Sequence, residues 1–234
     1  MDDPLWQSWK FIVAAILGTL LVVWVVARWR YAALVRQREN LVIEVARQTE
    51  RIQEQNDALE LANRELYELS IRDPLTGAYN RRYIFEYGSR DLEKRRAERV
   101  GYALVLIDVD HFKKINDSYG HAIGDDVLRL LASTMNESRD ANAVLGRVGG
   151  EEFLVLLGPL TAPMAMRQAT LMQEAISSLR VPVADSTIPV TVSMGVTVSL
   201  SHERITLESL INRADQALYR AKQNGRNRVE LAVA

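Results

Sequence analysis

An uncharged apolar run near the N-terminus constrains the fold of this chain more than any other feature. The 17 residues from Phe11 to Ala27 (FIVAAILGTLLVVWVVA) include no Asp, Glu, Lys or Arg. A helix extended to the flanking Trp9 and Trp29 is about 31 Å long, enough to cross a hydrocarbon core of about 30 Å. Tryptophan at both ends is typical of the membrane–water interface. The run predicts a transmembrane helix at 11–29; a buried core helix and a cleaved signal peptide are the alternatives.

The charges that flank this run predict its orientation. The C-terminal flank carries four arginines before the first acid: Arg28, Arg30, Arg36 and Arg38. The N-terminal flank has Lys10 with Asp2 and Asp3, and such an acidic start argues against a signal peptide. The positive-inside rule then predicts a single-pass protein of the inner (cytoplasmic) membrane, with its N-terminus outside. Because an outer tail of residues 1–10 is too short for a sensor domain, we expect a signal to act on the helix itself or to arrive through a partner protein.

A seven-residue repeat follows the apolar run. Residues 30–70 contain no Pro or Gly. The repeat places these residues in one stripe: Tyr31, Leu34, Arg38, Leu41, Val45, Gln48, Ile52, Gln55, Leu59, Ala62, Leu66 and Leu69. Six heptads favour a parallel coiled-coil homodimer over 30–72 rather than a single solvated helix. The polar members Arg38, Gln48 and Gln55 lower the stability of such a seam and leave room for alternative registers, which a signalling rod needs.

A Pro–Gly break separates this segment from the rest of the chain. Asp73-Pro74 and Thr76-Gly77 predict that the helix ends near Ile71–Arg72. Residues 73–234 are enough for a domain with a buried core. The chain has no cysteine, which excludes a disulfide scaffold, a thiolate metal site and a cysteine nucleophile. Its net charge of −1 provides no basic field, so we expect no nucleic-acid partner.

Strand and helix patterns alternate through the domain. They predict a buried strand at 102–108, a hairpin at 144–157, a helix at 163–179, an alternating strand at 190–198 and a helix at 207–221 that ends at Asn224-Gly225. A further helix is expected to begin at Asp125-Asp126, since acidic residues favour a helix N-terminus. Gly149-Gly150 is expected to form the turn of the hairpin, because glycine adopts a positive φ without strain.

Two acidic pairs adjoin these predicted strands. Asp108 and Asp110 lie where the central strand ends, and Glu151 and Glu152 follow the glycine pair. Either pair alone is explained by a turn cap or a solvated loop. Together, carboxylates on neighbouring strand ends can hold hard divalent cations through oxygen ligands. Two ions about 3.5–4 Å apart organise in-line phosphoryl transfer, and the adjacent glycines leave room for phosphates to approach the backbone.

Residues 147–153 (RVGGEEF) resemble the signature of the GGDEF-domain diguanylate cyclases, in its GGEEF variant. Three other stretches agree in order and spacing: 73–82 (DPLTGAYNRR, with Ala78 where Leu is commoner), 107–125 (IDVDHFKKIND, then Gly120-His121 and Gly124-Asp125), and 214–227 (ADQALYRAK, then GRN). The resemblance covers essentially all of 73–234. It implies an α/β fold related to nucleotidyl cyclases and polymerase palms, with a mixed, mostly antiparallel sheet flanked by helices.

The resemblance also implies roles for single residues. Asp108, the Val109 carbonyl and Glu151 would hold a divalent ion, with Glu152 beside a second ion, so that each half-site takes two Mg²⁺ or Mn²⁺; Glu151 and Glu152 would be the catalytic residues. The implied substrate-binding residues are Phe112, Lys113, Asn116, His121, Asp125, Gly149, Gly150, Lys222 and Arg226. Among these, Asn116 and Asp125 would recognise guanine. Lys113, Lys222 and Arg226 would contact the triphosphate, although surface solubility also explains such cations, and His121 could be structural.

The implied reaction condenses two GTP into cyclic di-GMP and two pyrophosphates in a homodimer with one GTP per half-site. Glu151 would act as general base, or the metal alone would suffice. A catalytically silent module that binds GTP or a partner is the main alternative, and a cyclase acting on ATP is another. Many family members carry an inhibitory Arg-x-x-Asp product site. Here Asp140 and Ala143 occupy those positions and Arg139 lies one residue early, so we expect no product inhibition of that kind.

Overall fold

The structure is a computed structural model that describes residues 5–183, 186–200 and 203–232. Residues 1–4 of the predicted outer tail, including Asp2 and Asp3, and the last two residues of the predicted domain lie outside this range. The chain divides into two compact units, Met1–Glu65 and Leu66–Ala234. The second unit therefore includes the last turns of the predicted rod.

The predicted membrane segment and rod belong to one continuous helix, α1 (Leu5–Ile71). It ends where Pro74 predicts. By length and composition it could cross a membrane. Its apolar side chains are exposed, both in the membrane segment, where Phe11 is 77% exposed, and along the heptad stripe, where Leu34 is 62% exposed. An apolar surface of this extent requires lipid or another protein to cover it.

The second unit is built around a five-stranded sheet. Its helices are α2 (Arg81–Ala97), α3 (Phe112–Tyr119), α4 (His121–Ser138), α5 (Ala162–Ser177) and α6 (Leu207–Gln223). Its strands are β1 (Tyr102–Val109), β2 (Val144–Arg147), β3 (Glu152–Gly158), β4 (Arg180–Val183), β5 (Ser186–Pro189), β6 (Val192–Ser199) and β7 (Val229–Leu231). The strand order is β2-β3-β1-β6-β7, with β4 and β5 paired separately. Among the pairings between strands of this sheet in the described residues, only β6–β7 is parallel, which confirms the mixed, mostly antiparallel sheet.

The central strand β1 is buried along its whole length. Its alternate residues enter two different cores: Val105 and Ile107 belong to one cluster with residues of α4 and α5, whereas Leu104 and Leu106 belong to another with residues of α2 and α6. Helices therefore cover both faces of the sheet, as the near-continuous apolar sequence of this strand predicts. Asp108 lies at the C-terminal end of this apolar strand.

The expected start of α4 was wrong. This helix begins at His121, one turn before Asp125. The cause is Gly120, which has a φ of 83° and is both the C-cap of α3 and the N-cap of α4. A left-handed glycine ends one helix and lets the next begin directly after it. The patterns also left α2, α3, β4, β5 and β7 unpredicted.

The turn that follows α1 is fixed by Asp73. Its Oδ1 accepts hydrogen bonds from the backbone N–H and the hydroxyl of Thr76, at 2.9 and 2.7 Å, and from Arg147 at 3.0 Å. Burial alone would raise the pKa of Asp73, but these hydrogen bonds outweigh it and lower the pKa. Arg147 also donates to the Gly150 carbonyl at 2.6 Å, so this arginine joins the entry turn to the glycine turn.

Candidate active site

The strand register brings the two acidic stretches together. Asp108 at the end of β1 lies opposite Glu152 at the start of β3. The Val109 N–H donates to the Glu151 carbonyl oxygen at 3.3 Å. Asp108 is only 6% exposed, and Glu151 and Glu152 are partly buried. The antiparallel pairing of β1 and β3 thus places at one sheet edge carboxylates that are more than forty positions apart in sequence.

The electrostatics of this edge favour a bound cation. Burial raises the pKa of Asp108, against the opposing effect of Lys222, whose Nζ lies 2.8 Å from Asp108 Oδ2. Burial also raises the pKa of Glu151, and the charge of Asp108 raises it further. Partly buried carboxylates that repel one another are stabilised by positive charge. Here that charge is the Lys222 ammonium, with a smaller effect of Arg226 on Asp108.

The donor set fits a hard divalent ion. Carboxylate and carbonyl oxygens are the preferred ligands of Mg²⁺, and the Lys222 ammonium already occupies a cation position against Asp108. Among residues 5–183, 186–200 and 203–232, no group of three or more acidic or histidine side chains is already arranged around a common ion position.

The glycine turn forms the predicted hairpin, but for a different reason than expected. Neither Gly149 nor Gly150 has a positive φ. A Cβ built on Gly149 would lie 2.5 Å from Glu152 Oε2, so this glycine makes room for a site carboxylate. A Cβ on Gly150 would meet nothing within 4 Å. The space beside Gly150 is open, as an approaching phosphate requires.

The predicted guanine-binding residues meet between α3 and α4. A Cβ on Gly124 would lie 1.9 Å from Asn116 Oδ1 and 3.3 Å from the ring of Phe112. Phe112 is itself a buried core residue. Asn116 Oδ1 is buried and has no hydrogen-bond partner. A buried acceptor without a protein partner accepts from an ordered water or from a ligand, and the N–H groups of a guanine are suitable donors. Asp125, next to Gly124, is partly buried.

Two predicted site residues have no structural support of this kind. Lys113 on α3 and His121 at the start of α4 are both exposed. Their proposed contacts with the nucleotide stay predictions.

Helix α6 delivers Lys222 because it packs very closely on β6. A Cβ on Gly195 would lie 2.0 Å from the Ala214 carbonyl oxygen and 2.5 Å from the Leu218 nitrogen. Any side chain at this position would push the helix away from the sheet. Gly195 was not identified from the sequence, and its place in an alternating apolar strand gave no signal for it.

Comparison with known proteins decides the family. The model of the family described as "Diguanylate cyclase, GGDEF domain" matches residues 70–228. The chain belongs to this family. The response regulator PleD of Caulobacter vibrioides is 40% identical over 166 residues, which are 69% of this chain and 36% of PleD. The probable diguanylate cyclase DgcC of Escherichia coli is 37% identical over 175 residues, 73% of this chain and 45% of DgcC. The chain spans less than half the length of these curated relatives.

Solved structures extend the likeness to the N-terminal helix. The coiled coil and GGDEF domain of DgcB from Caulobacter crescentus, in complex with c-di-GMP, match with a TM-score of 0.70 and 28% identity, over 82% of this chain and 99% of that one. The diguanylate cyclase SiaD from Pseudomonas aeruginosa, in complex with its activator SiaC, matches with a TM-score of 0.68 and 31% identity, over 99% of this chain and 92% of that one.

Within this GGDEF domain, Arg139 is hydrogen-bonded to the end of α4 and to the loop that follows it. Its guanidinium donates to the carbonyl oxygens of Ala143 and Asp140 and to Asn136 Oδ1. These bonds use donors that a phosphate ligand would require. The expected absence of an inhibitory product site rests on Asp140 and Ala143 at the motif positions and stays a prediction.

The role of Asp110 in this GGDEF domain differs from its sequence interpretation. The sequence groups it with Asp108 as a paired carboxylate. In the fold, its oxygens accept hydrogen bonds from the hydroxyls of Thr191 and Ser193 and from the Asn227 N–H, at 2.8, 2.7 and 3.0 Å. Asp108 faces a cation, whereas Asp110 is bonded to three neutral donors of the protein itself.

Proposed function

We propose that this chain is a membrane-anchored diguanylate cyclase, which condenses two GTP into cyclic di-GMP and releases two pyrophosphates. The observation that carries the proposal is the meeting of Asp108 with Glu151 and Glu152 at one sheet edge. Family membership supports the same reaction. The intact GGEEF sequence favours an active enzyme over a catalytically silent module.

Each side chain has a distinct task in the proposed reaction. Asp108, the Val109 carbonyl, Glu151 and Glu152 would hold two divalent ions, Mg²⁺ or Mn²⁺, which would supply a lowered pKa of the attacking hydroxyl and positive charge against the phosphates. The 3′-oxygen of one nucleotide forms a bond to the α-phosphorus of the other, and the bond from that phosphorus to the pyrophosphate oxygen breaks. Glu151 accepts the hydroxyl proton as general base, or the metal alone suffices to activate the hydroxyl.

The cationic and amide side chains bind and orient the nucleotide. Lys222 exchanges Asp108 for the triphosphate when metal and nucleotide bind, and Arg226 contacts the same phosphates. Asn116 and Asp125 accept from the guanine N1–H and the exocyclic amine, an arrangement of donors that adenine lacks. Recognition by buried acceptors is strongly selective, because an analogue without the donor leaves them unpaired.

The proposed enzyme works as a homodimer, since each chain supplies one half-site. The exposed heptad stripe of α1 over 30–72 is the surface through which we propose that two chains associate. Tethering raises the effective concentration of one half-site for the other. We propose that the apolar segment 11–29 anchors this assembly in the inner membrane, with the catalytic domain in the cytoplasm; the length and composition of the helix support this. The structure of SiaD with its activator SiaC supports a sensory partner protein acting on such a chain.

Replacement of Glu151 by Gln tests the reaction. Glu151→Gln keeps the size of the side chain and removes a carboxylate, so we expect no cyclic di-GMP from GTP and Mg²⁺, without a fall in the thermal unfolding midpoint, because burial and the Asp108 charge already disfavour an ionised Glu151. Glu86→Gln, at an exposed position of α2, is the matched control and should retain full activity. Chromatography of the products with GTP and with ATP measures both activity and base selectivity. Turnover that survives Glu151→Gln contradicts the proposed metal site.

A further inference from the structure

The buried carboxylate of Asp110 has a structural partner set that the proposed reaction does not use. It is 5% exposed. Thr191 Oγ1 donates to its Oδ2 at 2.8 Å and Ser193 Oγ to its Oδ1 at 2.7 Å. The third donor is the backbone N–H of Asn227, at 3.0 Å from Oδ2. Hydrogen bonds to a carboxylate are stronger than those between neutral groups. The bond from the Asn227 N–H therefore fixes the position of the segment that contains Asn227.

That segment is a strained turn. Gly225, Arg226 and Asn227 have φ values of 111°, 63° and 45°, so three successive residues lie in the left-handed region. For residues other than glycine this conformation costs free energy and persists only when the surroundings impose it. Because two of the three residues have side chains, the turn depends on contacts outside itself.

Asn227 is the residue through which those contacts act. Its N–H donates to Asp110, and its side-chain Oδ1 accepts from Ser177 Oγ at 2.8 Å and from Gln173 Nε2. The backbone of Asn227 is therefore bonded to Asp110, which follows β1, and its side chain is bonded to α5. Among the residues that the structure describes, the bond between backbone groups in this turn runs from the Arg226 N–H to the Ala221 carbonyl at 3.0 Å. The carbonyl oxygens of Asn227 and Arg226 accept from the side chains of Gln173 and Arg228, each at 3.3 Å.

The turn carries Arg226, which lies one residue before the anchored N–H and four after Lys222. We propose that Asp110 is a positioning residue for nucleotide binding: its bond to the Asn227 N–H holds the left-handed turn that presents Arg226 to the triphosphate. The inference rests on the proposed function, because it needs a triphosphate at this site. The two aspartates at the end of β1 then have different roles: Asp108 binds the divalent ion, and Asp110 positions Arg226, which binds the triphosphate.

A double-mutant cycle on the full chain in detergent tests this. The variants are Asp110→Asn, Arg226→Ala and the two combined, and the probe is α,β-methylene GTP with Mg²⁺, which binds without reacting at the α-phosphate. We expect about tenfold weaker binding for Arg226→Ala, as for the loss of a hydrogen bond to a charged group. Asp110→Asn should weaken binding severalfold. The combined variant should bind no more weakly than Arg226→Ala, since Asp110 acts through Arg226.

Ser193→Ala is the matched control. It removes one bond to Asp110 but leaves the bond to the Asn227 N–H, so we expect a lower unfolding midpoint and unchanged nucleotide affinity. With GTP as substrate, Asp110→Asn should raise KM more than it lowers kcat. If Asp110→Asn does not fold, Asp110→Glu replaces it in the cycle, because it keeps the charge but moves the carboxylate away from its position beside the Asn227 N–H.

The outcomes separate the inference from the proposed function. If Asp110→Asn lowers nucleotide affinity by the same factor in the wild type and in Arg226→Ala, the positioning role is overturned. It is also overturned if Ser193→Ala lowers the affinity as much as Asp110→Asn does. Binding that is unaffected by Arg226→Ala instead removes the triphosphate contact from the proposed function. Non-additive losses that depend on Arg226 support the role of Asp110.

Discussion

Replacement of Gly124 by Ala should weaken GTP binding while it stabilises the fold. The added Cβ would lie 1.9 Å from Asn116 Oδ1. Ordinary carbon–oxygen contacts are about 3.3 Å or longer, so the amide oxygen must move by about 1.4 Å. This oxygen is the end of a side chain that can rotate, and Gly124 has no positive φ. The main clash is therefore relieved by turning Asn116 away from the nucleotide, without moving the backbone, while the Phe112 ring, 3.3 Å from the added Cβ, must shift by a few tenths of an ångström.

The two effects of Gly124→Ala have opposite signs. Loss of one hydrogen bond to guanine costs about 0.5–1.5 kcal/mol, which is about twofold to tenfold in affinity. Alanine inside a helix is about 1 kcal/mol more favourable than glycine, and Gly124 lies inside α4. For a domain of this size, that gain raises the unfolding midpoint by about 2–4 °C.

Binding of α,β-methylene GTP by calorimetry and thermal unfolding measure the two effects on the same protein. Asn116→Ala is the control background, in which Gly124→Ala should leave GTP affinity unchanged because the displaced amide is absent. A Gly124→Ala variant that binds GTP as tightly as the wild type would refute the role of Asn116 as a guanine-binding residue. A fall of several degrees in its unfolding midpoint would show that the backbone, rather than the amide, gives way.

Four further outcomes are expected. Asp73→Asn should lower the free energy of unfolding at pH 7 by about 1–2 kcal/mol. Because the pKa of Asp73 in the folded state lies below its ordinary value of 3.8, the stabilisation by its charge is complete above pH 3.8 and is lost as the pH falls through the folded-state pKa. The acid unfolding curves of the wild type and the variant should therefore converge at that low pH. Removal of divalent ions with EDTA should abolish cyclic di-GMP formation, and Mg²⁺ or Mn²⁺ should restore it. The specific rate of residues 66–234 alone should increase with protein concentration, whereas that of the full chain should not; equal behaviour would show that α1 only connects. Cyclic di-GMP at low micromolar concentration should not inhibit the enzyme, and inhibition that Arg139→Ala removes would contradict this.

The predicted start of the globular domain and the start of the compact unit in the structure differ by several residues. Pro74 predicts the helix end correctly, because proline restricts the residue before it. The compact unit nevertheless begins at Leu66. Ile71 is only 5% exposed, and its carbonyl accepts from the Asn80 N–H at 2.8 Å. The end of the helix belongs to the domain through contacts that a breaking residue does not reveal.

The sequence by itself determined the long apolar helix, the heptad stripe, the apolar central strand and the motifs around 108 and 151. These features are periodic or contiguous, so each depends on residues a few positions apart. It also placed the helix end at Asn224-Gly225, where chain-breaking residues stand together.

Only the tertiary structure decided which of these residues act together. The pairing of β1 with β3 set Asp108 beside Glu152, and the turn after α6 gave Asp110 a partner more than a hundred residues away. Gly124 and Gly195 matter because another element approaches them within 2 Å of a built Cβ. Such contacts depend on how distant segments pack, and the spacing of residues along one strand or helix holds no information about them.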